Sequence, residues 1–410
     1  MPTERINIDL IPAQDGDIDD MAELWAEAFP ERPAERRARE LREGMVYGNL
    51  SDCWIVRVDK RIAGALRTYR FTTHMWGHAY ATMGLAGVAT APDFRRRGIG
   101  RHMCTAALEI ARERGDVLSV LFPFRTSFYR DLGYALVGSL HRYRFHPEEL
   151  TTYPGWDRVE RAPDDGPALA REIYDSVARE ANGLLVRTER MWNFLEAEGH
   201  YLYLHRDPRG RPTGYIVVRA RGGSPDKSTL VVRELVALDR EAYLALLGWV
   251  SVQRDQWANI IYDAVPGEDF QRRLAHPRTQ GSGAPRGLWF HSAHLLRGPM
   301  MRIVNLERVL SDLASQGSDE SDSGEGVGAG SGAGIGATLQ VRDGQLPENQ
   351  GIWRQGERIA TSLDPTSGPV LSINEVTGYF AAGDLPGQRP AVTAWQPNLG
   401  LRDYRLLDEF

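Results

Sequence analysis

The stretch that decides the fold is Leu85-Ala-Gly-Val-Ala-Thr-Ala-Pro-Asp-Phe-Arg-Arg-Arg-Gly-Ile-Gly-Arg101. Its apolar first part predicts a strand, and the segment from Gly98 to Gly115 predicts a helix. The turn between them carries Arg95 to Arg97 and two glycines, Gly98 and Gly100. Glycine lets the backbone approach a ligand closely, and a helix start offers unpaired amides and the positive end of its dipole. Together with the arginines, these features predict a cradle for a pyrophosphate.

The pattern Arg/Gln-x-x-Gly-x-Gly/Ala after a strand, here from Arg95 or Arg96 to Gly100, resembles the coenzyme motif of GNAT-type N-acetyltransferases. The resemblance implies that acetyl-coenzyme A is bound with its pyrophosphate on the helix start. It also implies that the end of the strand presents backbone groups to the pantetheine arm. The coenzyme-binding residues expected on this basis are Val88, Ala89, Thr90, Arg96, Arg97, Gly98, Ile99, Gly100, Arg101, Phe124 and Arg125.

A second motif, Tyr129-x-x-x-Gly133-Tyr134, follows at the distance that the GNAT resemblance implies. In such enzymes this tyrosine lies near the coenzyme sulfur. The ordinary pKa of tyrosine, about 10, exceeds that of a thiol, about 8.5, so a neutral Tyr129 can protonate the departing thiolate as a general acid. The alternative is a helix tyrosine that only packs beneath the coenzyme.

The order of elements along the chain predicts three domains. Residues 1–147 form a catalytic α/β domain of the GNAT type, with a final strand from Tyr134 to Phe145. Residues 148–297 repeat the outline without the coenzyme motif, so we expect no coenzyme there. Residues 298–410 form a small α+β domain, and the stretch 315–337, rich in glycine, serine and acidic residues, is expected to be a flexible loop.

This organisation resembles the Eis (enhanced intracellular survival) acetyltransferases over essentially the whole chain, and the third domain resembles the sterol-carrier-protein fold. The resemblance implies that the C-terminal carboxylate, on Phe410, acts as the catalytic base beside Tyr129. It implies a primary amine of an aminoglycoside-like polyamine or of a lysine side chain as acceptor, with Glu31 and Glu409 binding it. It also implies a homohexamer.

Composition narrows the functional classes. The 410 residues carry a net charge of −6, which argues against a dedicated nucleic-acid binder. No apolar stretch reaches the length of a membrane span, the first residues lack the apolar core of a signal peptide, and two cysteines cannot build a disulfide framework, so we expect a cytoplasmic protein. The histidine pairs at 74 and 78 and at 291 and 294 lack an obvious third ligand, so no metal is expected. A non-catalytic protein that binds coenzyme A or lipid and serves in assembly is the alternative function.

Overall fold

The structure is a computed structural model that describes residues 9–195, 199–222, 227–278, 291–319, 338–354 and 356–382. The first seven strands are β1 (Leu10–Pro12), β2 (Cys53–Val58), β3 (Arg61–Met75), β4 (His78–Thr90), β5 (Leu118–Leu121), β6 (Ala135–Leu136) and β7 (Ser139–Phe145). The next six are β8 (Val159–Arg161), β9 (His200–Arg206), β10 (Pro212–Arg221), β11 (Thr229–Ala237), β12 (Asn259–Ala264) and β13 (His294–Arg297). The last five are β14 (Met300–Ile303), β15 (Thr338–Arg342), β16 (Gly351–Arg354), β17 (Glu357–Ala360) and β18 (Val370–Ser372).

The helices alternate with these strands. They are α1 (Ile18–Ala28), α2 (Ala34–Glu43), α3 (Ile99–Glu113), α4 (Thr126–Arg130), α5 (Gly166–Glu180), α6 (Glu189–Leu195), α7 (Arg240–Ser251), α8 (Leu306–Asp319) and α9 (Ile373–Ala382). Apolar residues recur on one face of α3, and Met103, Cys104 and Ala107 are fully buried there. That face packs on β3 and β4, as the 3.6-residue period requires.

After β2 the chain turns back in a hairpin at Asp59 and Lys60. Both residues have a positive φ, +49° and +66°, which a two-residue turn needs in order to match the twist of its strands. The turn joins β2 to β3, and β3 then pairs with β4 along most of its length. Helix α3, which begins within the coenzyme motif, packs on β3 and β4.

The two large sheets exchange one strand each. The first sheet has the order β1-β2-β3-β4-β5-β14-β6, and the second has the order β13-β7-β12-β11-β10-β9-β8. Strand β14, which follows the predicted boundary near 297, therefore lies between β5 and β6 of the first sheet. Strand β7, from the end of the first region, lies between β12 and β13 of the second. Neither sheet is complete without a strand from the other half of the chain.

The predicted single strand from Tyr134 to Phe145 is therefore wrong, because the chain leaves the first sheet after β6 and enters the second at β7. The two crossing connections touch each other: the amide of Gly298 donates to the carbonyl oxygen of Gly138 at 3.0 Å. A Cβ on Gly298 would overlap that same carbonyl. The predicted boundaries near 147 and 297 thus do not coincide with the edges of the two sheets.

The third region packs against the first sheet. Its sheet has the order β17-β16-β15-β18, and α9 lies on β14 and β6. Apolar residues of α8, α9 and this sheet belong to the same hydrophobic core as the first sheet, whereas the second sheet has a separate cluster on each side. Helix α8 continues to Asp319, so the first five residues of the predicted flexible loop are helical, and 320–337 lie outside the described residues.

Candidate active site

Strands β4 and β5 diverge, and this divergence forms the site. They pair in parallel from Thr82 opposite Leu118 to Gly84 opposite Val120. Strand β5 then ends at Leu121, while β4 continues to Thr90, paired only with β3 on its other side. The last residues of β4, including Val88, Ala89 and Thr90, therefore present one backbone edge to an open space. An extended ligand can bind such an edge through hydrogen bonds to the main chain.

A bulge interrupts β4 next to this edge, and sequence analysis did not predict it. The register with β3 shifts between the pairs Ala65–Ala89 and Arg67–Ala86, and Gly87 adopts a positive φ of +59°. The carbonyl oxygen of Gly87 accepts a hydrogen bond of 2.6 Å from the indole Nε1 of Trp25 in α1. A glycine inside a strand is a signal for a bulge, and Gly87 carried that signal.

The start of α3 lies just beyond β4. Gly98 precedes the helix with a left-handed φ of +84°, and no side chain caps the helix in the described structure. No described atom comes within 4 Å of a Cβ built on Gly98, and a Cβ on Gly100 would meet only Thr90 Oγ1 at 3.6 Å and Phe128 at 3.9 Å. The amides of Ile99 and the next two residues have no acceptor within the helix. The open, donor-rich pocket fits a pyrophosphate.

The arginines of the motif divide into two groups. Arg96 and Arg97 are exposed beside the pocket, and Arg97 lies over the ring of Phe94 at 5.4 Å. Arg101 forms an ion pair of 3.2 Å with Asp131, which ties α3 to the end of α4. Arg96 and Arg97 are thus placed to meet a phosphate, whereas the charge of Arg101 is partly balanced by the protein itself.

An aromatic group follows β5. Phe124 is 63% exposed, and its ring lies 5.4 Å from Phe128 and 5.5 Å from Tyr129. Arg125, also exposed, is the residue before α4. The structure therefore brings Phe124 and Arg125 to the same side of the site as the start of α3, since Phe128 also approaches Gly100.

Tyr129 is only 3% exposed and packs against the rings of Phe128 and Tyr134. Burial, followed by the nearby Cys104 and Tyr134, raises the pKa of Tyr129 well above its usual range. The Cys104 thiol is itself neutral, because burial raises its pKa to about 12. Among the described residues, none forms a hydrogen bond with the Tyr129 hydroxyl. That hydroxyl therefore keeps its proton and is free to donate it.

The third region holds α4 in place. Arg302 of β14 donates to the carbonyl oxygen of Leu132 and makes two hydrogen bonds of 2.8 Å with Asp343. Both side chains of this ion pair are fully buried. Gly133 has a positive φ, and any Cβ there would overlap Arg302. The glycine of the Tyr129 motif thus makes room for a contact between regions.

Three predicted site residues need separate mention. Glu31 is exposed in the turn between α1 and α2, where it adds to the electrostatic environment of Arg37. Glu409 and Phe410 lie outside the described residues.

The corresponding positions in the second sheet are occupied by the chain itself. Asp239 precedes α7 and accepts a hydrogen bond of 2.8 Å from the amide of Ala242. The buried Glu268 accepts hydrogen bonds from the hydroxyls of Tyr243 in α7 and Tyr262 in β12. A carboxylate at the helix start repels a second anion. The start of α7 therefore disfavours a pyrophosphate, whereas the uncapped start of α3 can accept one.

Two further features are absent from the described residues. They contain no cluster of three or more histidine, cysteine, aspartate or glutamate side chains that could hold a metal. Over the same ranges, no helix combines the length and the apolar character needed to cross a membrane.

Comparison with known proteins agrees with this geometry. Residues 9–137 match the model of an acetyltransferase (GNAT) domain, and residues 183–303 match a second model with the same description. The chain contains two GNAT acetyltransferase domains. The two matches confirm the expectation of two α/β domains of the GNAT type.

Among curated proteins, the N-acetyltransferases Eis of Mycobacterium tuberculosis and Mycobacterium bovis are 26% identical over 250 residues. The aligned part covers 56% of this chain and spans only 56% of the length of each relative. The chain thus aligns with only about half the length of these relatives.

Solved structures show the same fold over nearly the whole chain. A GCN5-related N-acetyltransferase from Anabaena variabilis has a TM-score of 0.73 at 19% identity and covers 98% of this chain and 100% of its own. A GCN5-related N-acetyltransferase from Kribbella flavida has a TM-score of 0.71 at 22% identity, covering 98% of each chain. Eis1 from Mycobacterium abscessus has a TM-score of 0.71 at 16% identity, covering 98% of this chain and 100% of its own.

Proposed function

We propose that this chain transfers the acetyl group of acetyl-coenzyme A directly to a primary amine. The observation that carries the proposal is the uncapped start of α3 beside the free edge of β4, with the buried hydroxyl of Tyr129 close by. The helix start and Arg96 and Arg97 bind the pyrophosphate. The edge from Val88 to Thr90 binds the pantetheine arm through its backbone groups.

The reaction needs one acid and one base. The amine nitrogen attacks the thioester carbon, the carbon–sulfur bond breaks, and the thiolate takes a proton from Tyr129. The amine proton passes to the C-terminal carboxylate of Phe410, directly or through water. Because an ordinary C-terminal carboxylate has a pKa of about 3.3–3.7, it is a weak base unless it is desolvated.

We place the reaction in the first domain only. The start of α7 is capped by Asp239, and Glu268 with its two tyrosine partners closes the space between α7 and the end of β12. Both carboxylates would repel a pyrophosphate. Calorimetry should therefore give one coenzyme molecule per chain.

The acceptors expected from sequence are aminoglycoside-like polycations and lysine side chains, bound by Glu31 and Glu409. The homohexamer, the cytoplasmic location and the sterol-carrier-like identity of the third region stay predictions as well. The α+β composition of that region supports the last of them.

The decisive experiment measures thiol release from acetyl-coenzyme A with a panel of primary amines. It uses an untagged C-terminus, a variant lacking Phe410, a variant extended beyond Phe410, and Phe410→Ala. Turnover with the untagged chain and a loss of about 10²–10⁴-fold on truncation or extension support the proposal. Coenzyme binding without thiol release for any amine would favour the non-catalytic alternative, and equal kcat in all forms would remove Phe410 from the mechanism.

A further inference from the structure

The guanidinium of Arg67 lies directly beside the bulge in β4. It is 3.9 Å from the centre of the Trp25 ring. Its Nη1 would be 3.7 Å from a Cβ built on Gly87. Since Trp25 also donates its indole hydrogen to the Gly87 carbonyl, the arginine, the indole and the bulge form one unit. In the proposed reaction, the pantetheine arm binds along Val88 to Thr90, which directly follow this unit on β4.

The charge of Arg67 has no counter-charge at contact distance. In the part of the chain that the structure describes, Arg67 forms no ion pair within 4 Å, and its buried Nε has no hydrogen-bond partner. Two neighbours that interact with it, Cys53 and Tyr69, are neutral. Burial raises the pKa of the Cys53 thiol to about 11 and raises the pKa of the Tyr69 hydroxyl above its usual value.

The carboxylate that directly precedes β2 is already engaged. Asp52 accepts a hydrogen bond of 2.8 Å from the Asn49 amide and lies 3.9 Å from Arg70. It therefore balances Arg67 only at longer range.

A second arginine adds positive charge to the same region. Arg37 of α2 is 8% exposed and donates to the carbonyl oxygens of Phe29 and Arg32 rather than to a carboxylate. Burial and then the charge of Arg67 lower the pKa of Arg37. The two guanidinium groups therefore repel each other across the surface between α1 and the sheet.

The opposite face of β3 is closed. A Cβ built on Gly64 would lie 2.8 Å from the side chain of Met103 in α3, so α3 packs tightly there. Arg67 and Trp25 lie on the other face, that of α1, where Arg67 stays partly exposed.

We infer that the acceptor amine also carries a carboxylate, which pairs with the guanidinium of Arg67. This inference rests on the proposed function and assigns the acceptor to a class distinct from aminoglycoside-like polycations. A half-buried cation without a counter-charge is costly even when neutral groups contact it, and a bound carboxylate lowers that cost. The planar fork of a guanidinium matches the two oxygens of a carboxylate, and stacking on Trp25 holds the fork in one orientation.

The test compares acceptors that differ only in charge: β-alanine with β-alaninamide, and lysine with lysinamide. In the wild-type protein we expect kcat/KM for thiol release to be about 10- to 100-fold higher for the carboxylate member of each pair, since a charged hydrogen-bonded pair of this kind changes affinity by that order. Arg67→Met should remove the preference mainly through KM. Arg70→Met, on the same strand with a side chain that is 71% exposed, is the matched control and should retain it.

Coenzyme calorimetry and thermal unfolding check that each variant is folded. If Arg67→Met does not fold, Arg67→Lys replaces it in the test. This variant should still prefer the carboxylate acceptor, but with a smaller ratio of kcat/KM. No preference in the wild type, or an unchanged preference in Arg67→Met, would overturn the inference. So would an equal fall in kcat for both members of a pair, because Arg67 would then hold another group of the site.

A binding measurement separates this inference from the proposed function. β-Alanine and β-alaninamide are titrated into protein saturated with coenzyme A. Tighter binding of β-alanine that is lost in Arg67→Met supports the carboxylate site even if no amine is acetylated. Equal binding of the two ligands contradicts it even if acetyl transfer is observed.

Discussion

Tyr129 keeps its proton because of where it is buried. Its raised pKa comes first from burial and then from Cys104 and Tyr134, which are also buried. A raised pKa means that the hydroxyl stays protonated to higher pH than a free tyrosine. The proton is therefore present near neutral pH, so Tyr129 cannot act as a base there, although the raised pKa also makes it a weaker acid than free tyrosine.

Tyr129→Phe should lower kcat by about 10²–10⁴-fold and leave coenzyme affinity nearly unchanged, because only the donated proton is removed. Steady-state kinetics and calorimetry measure the two effects. The control is Tyr134→Phe, which removes a buried hydroxyl bonded to Ser119 Oγ at 2.7 Å. It should cost about 1 kcal/mol of stability and preserve kcat. Equal kinetic losses in both variants would argue that aromatic packing, not proton donation, is what matters.

The raised pKa also predicts the shape of the pH profile. Because the pKa of Tyr129 is raised, its deprotonation should cause no fall in kcat as the pH rises from 7 to 10. The measurement is kcat at saturating substrates across that range. An alkaline fall near pH 10 that disappears in Tyr129→Phe would mean that the hydroxyl is not protected by burial.

The Arg302–Asp343 pair should be sensitive to the loss of one partner. Asp343→Ala leaves a fully buried guanidinium without its carboxylate, so we expect a loss of about 3–5 kcal/mol in the free energy of unfolding. Replacing both residues, as in Arg302→Met with Asp343→Leu, should recover part of that loss. Denaturant unfolding measures both. A loss below about 1 kcal/mol in Asp343→Ala would show that the third region is held mainly by its apolar core.

At the scale of elements, α3 differs from α7 through what precedes it. Gly98 leaves the first helix uncapped, whereas Asp239 fills the start of the second with its own carboxylate. The residue before each helix therefore favours an anion at the start of α3 and disfavours one at the start of α7.

Gly98→Glu should abolish coenzyme binding, because a carboxylate would occupy the phosphate pocket. Gly115→Glu, at the other end of α3, is the matched control. Gly98 and Gly115 have nearly equal positive φ values, +84° and +85°, and no described atom lies within 4 Å of a Cβ on either. The two variants should therefore lose similar stability, while only Gly98→Glu loses affinity in calorimetry. Wild-type affinity in Gly98→Glu would place the coenzyme elsewhere.

At the scale of the whole molecule, the exchange of β7 and β14 makes the two large sheets interdependent. The third region adds to this, because its helices share a core with the first sheet. The active site therefore depends on residues far apart in sequence: Leu132, at the end of α4, contacts Arg302.

Residues 1–147 alone should not fold cooperatively. Without β14, strands β5 and β6 lose the neighbour that lies between them, and β7 has no sheet to join. A chain in which residues 1–138 are linked to 299–382 restores β14 and the shared core, and it should unfold in a cooperative transition. Circular dichroism during thermal unfolding compares the two. A sharp transition for 1–147 would contradict the structural role of the exchange.

Much of the local structure could be predicted from residue patterns. The β2–β3 hairpin follows from a polar two-residue turn between apolar runs, and α9 follows from the mainly apolar stretch Ile373–Ala382. These features depend on neighbours within a few residues, so periodicity and turn chemistry suffice. The coenzyme motif is of the same kind, since strand, turn and helix start are contiguous.

The sequence by itself determined the element order, the coenzyme motif and the placing of Tyr129 just after β5. Only the tertiary structure decided that Tyr134 to Phe145 is divided between two sheets, because strand pairing depends on partners more than 100 residues away. It also decided that Arg67 lies against Trp25 at the Gly87 bulge. No spacing in the sequence encodes that contact, because it joins a helix, two strands and a register shift that exist together only in the folded chain.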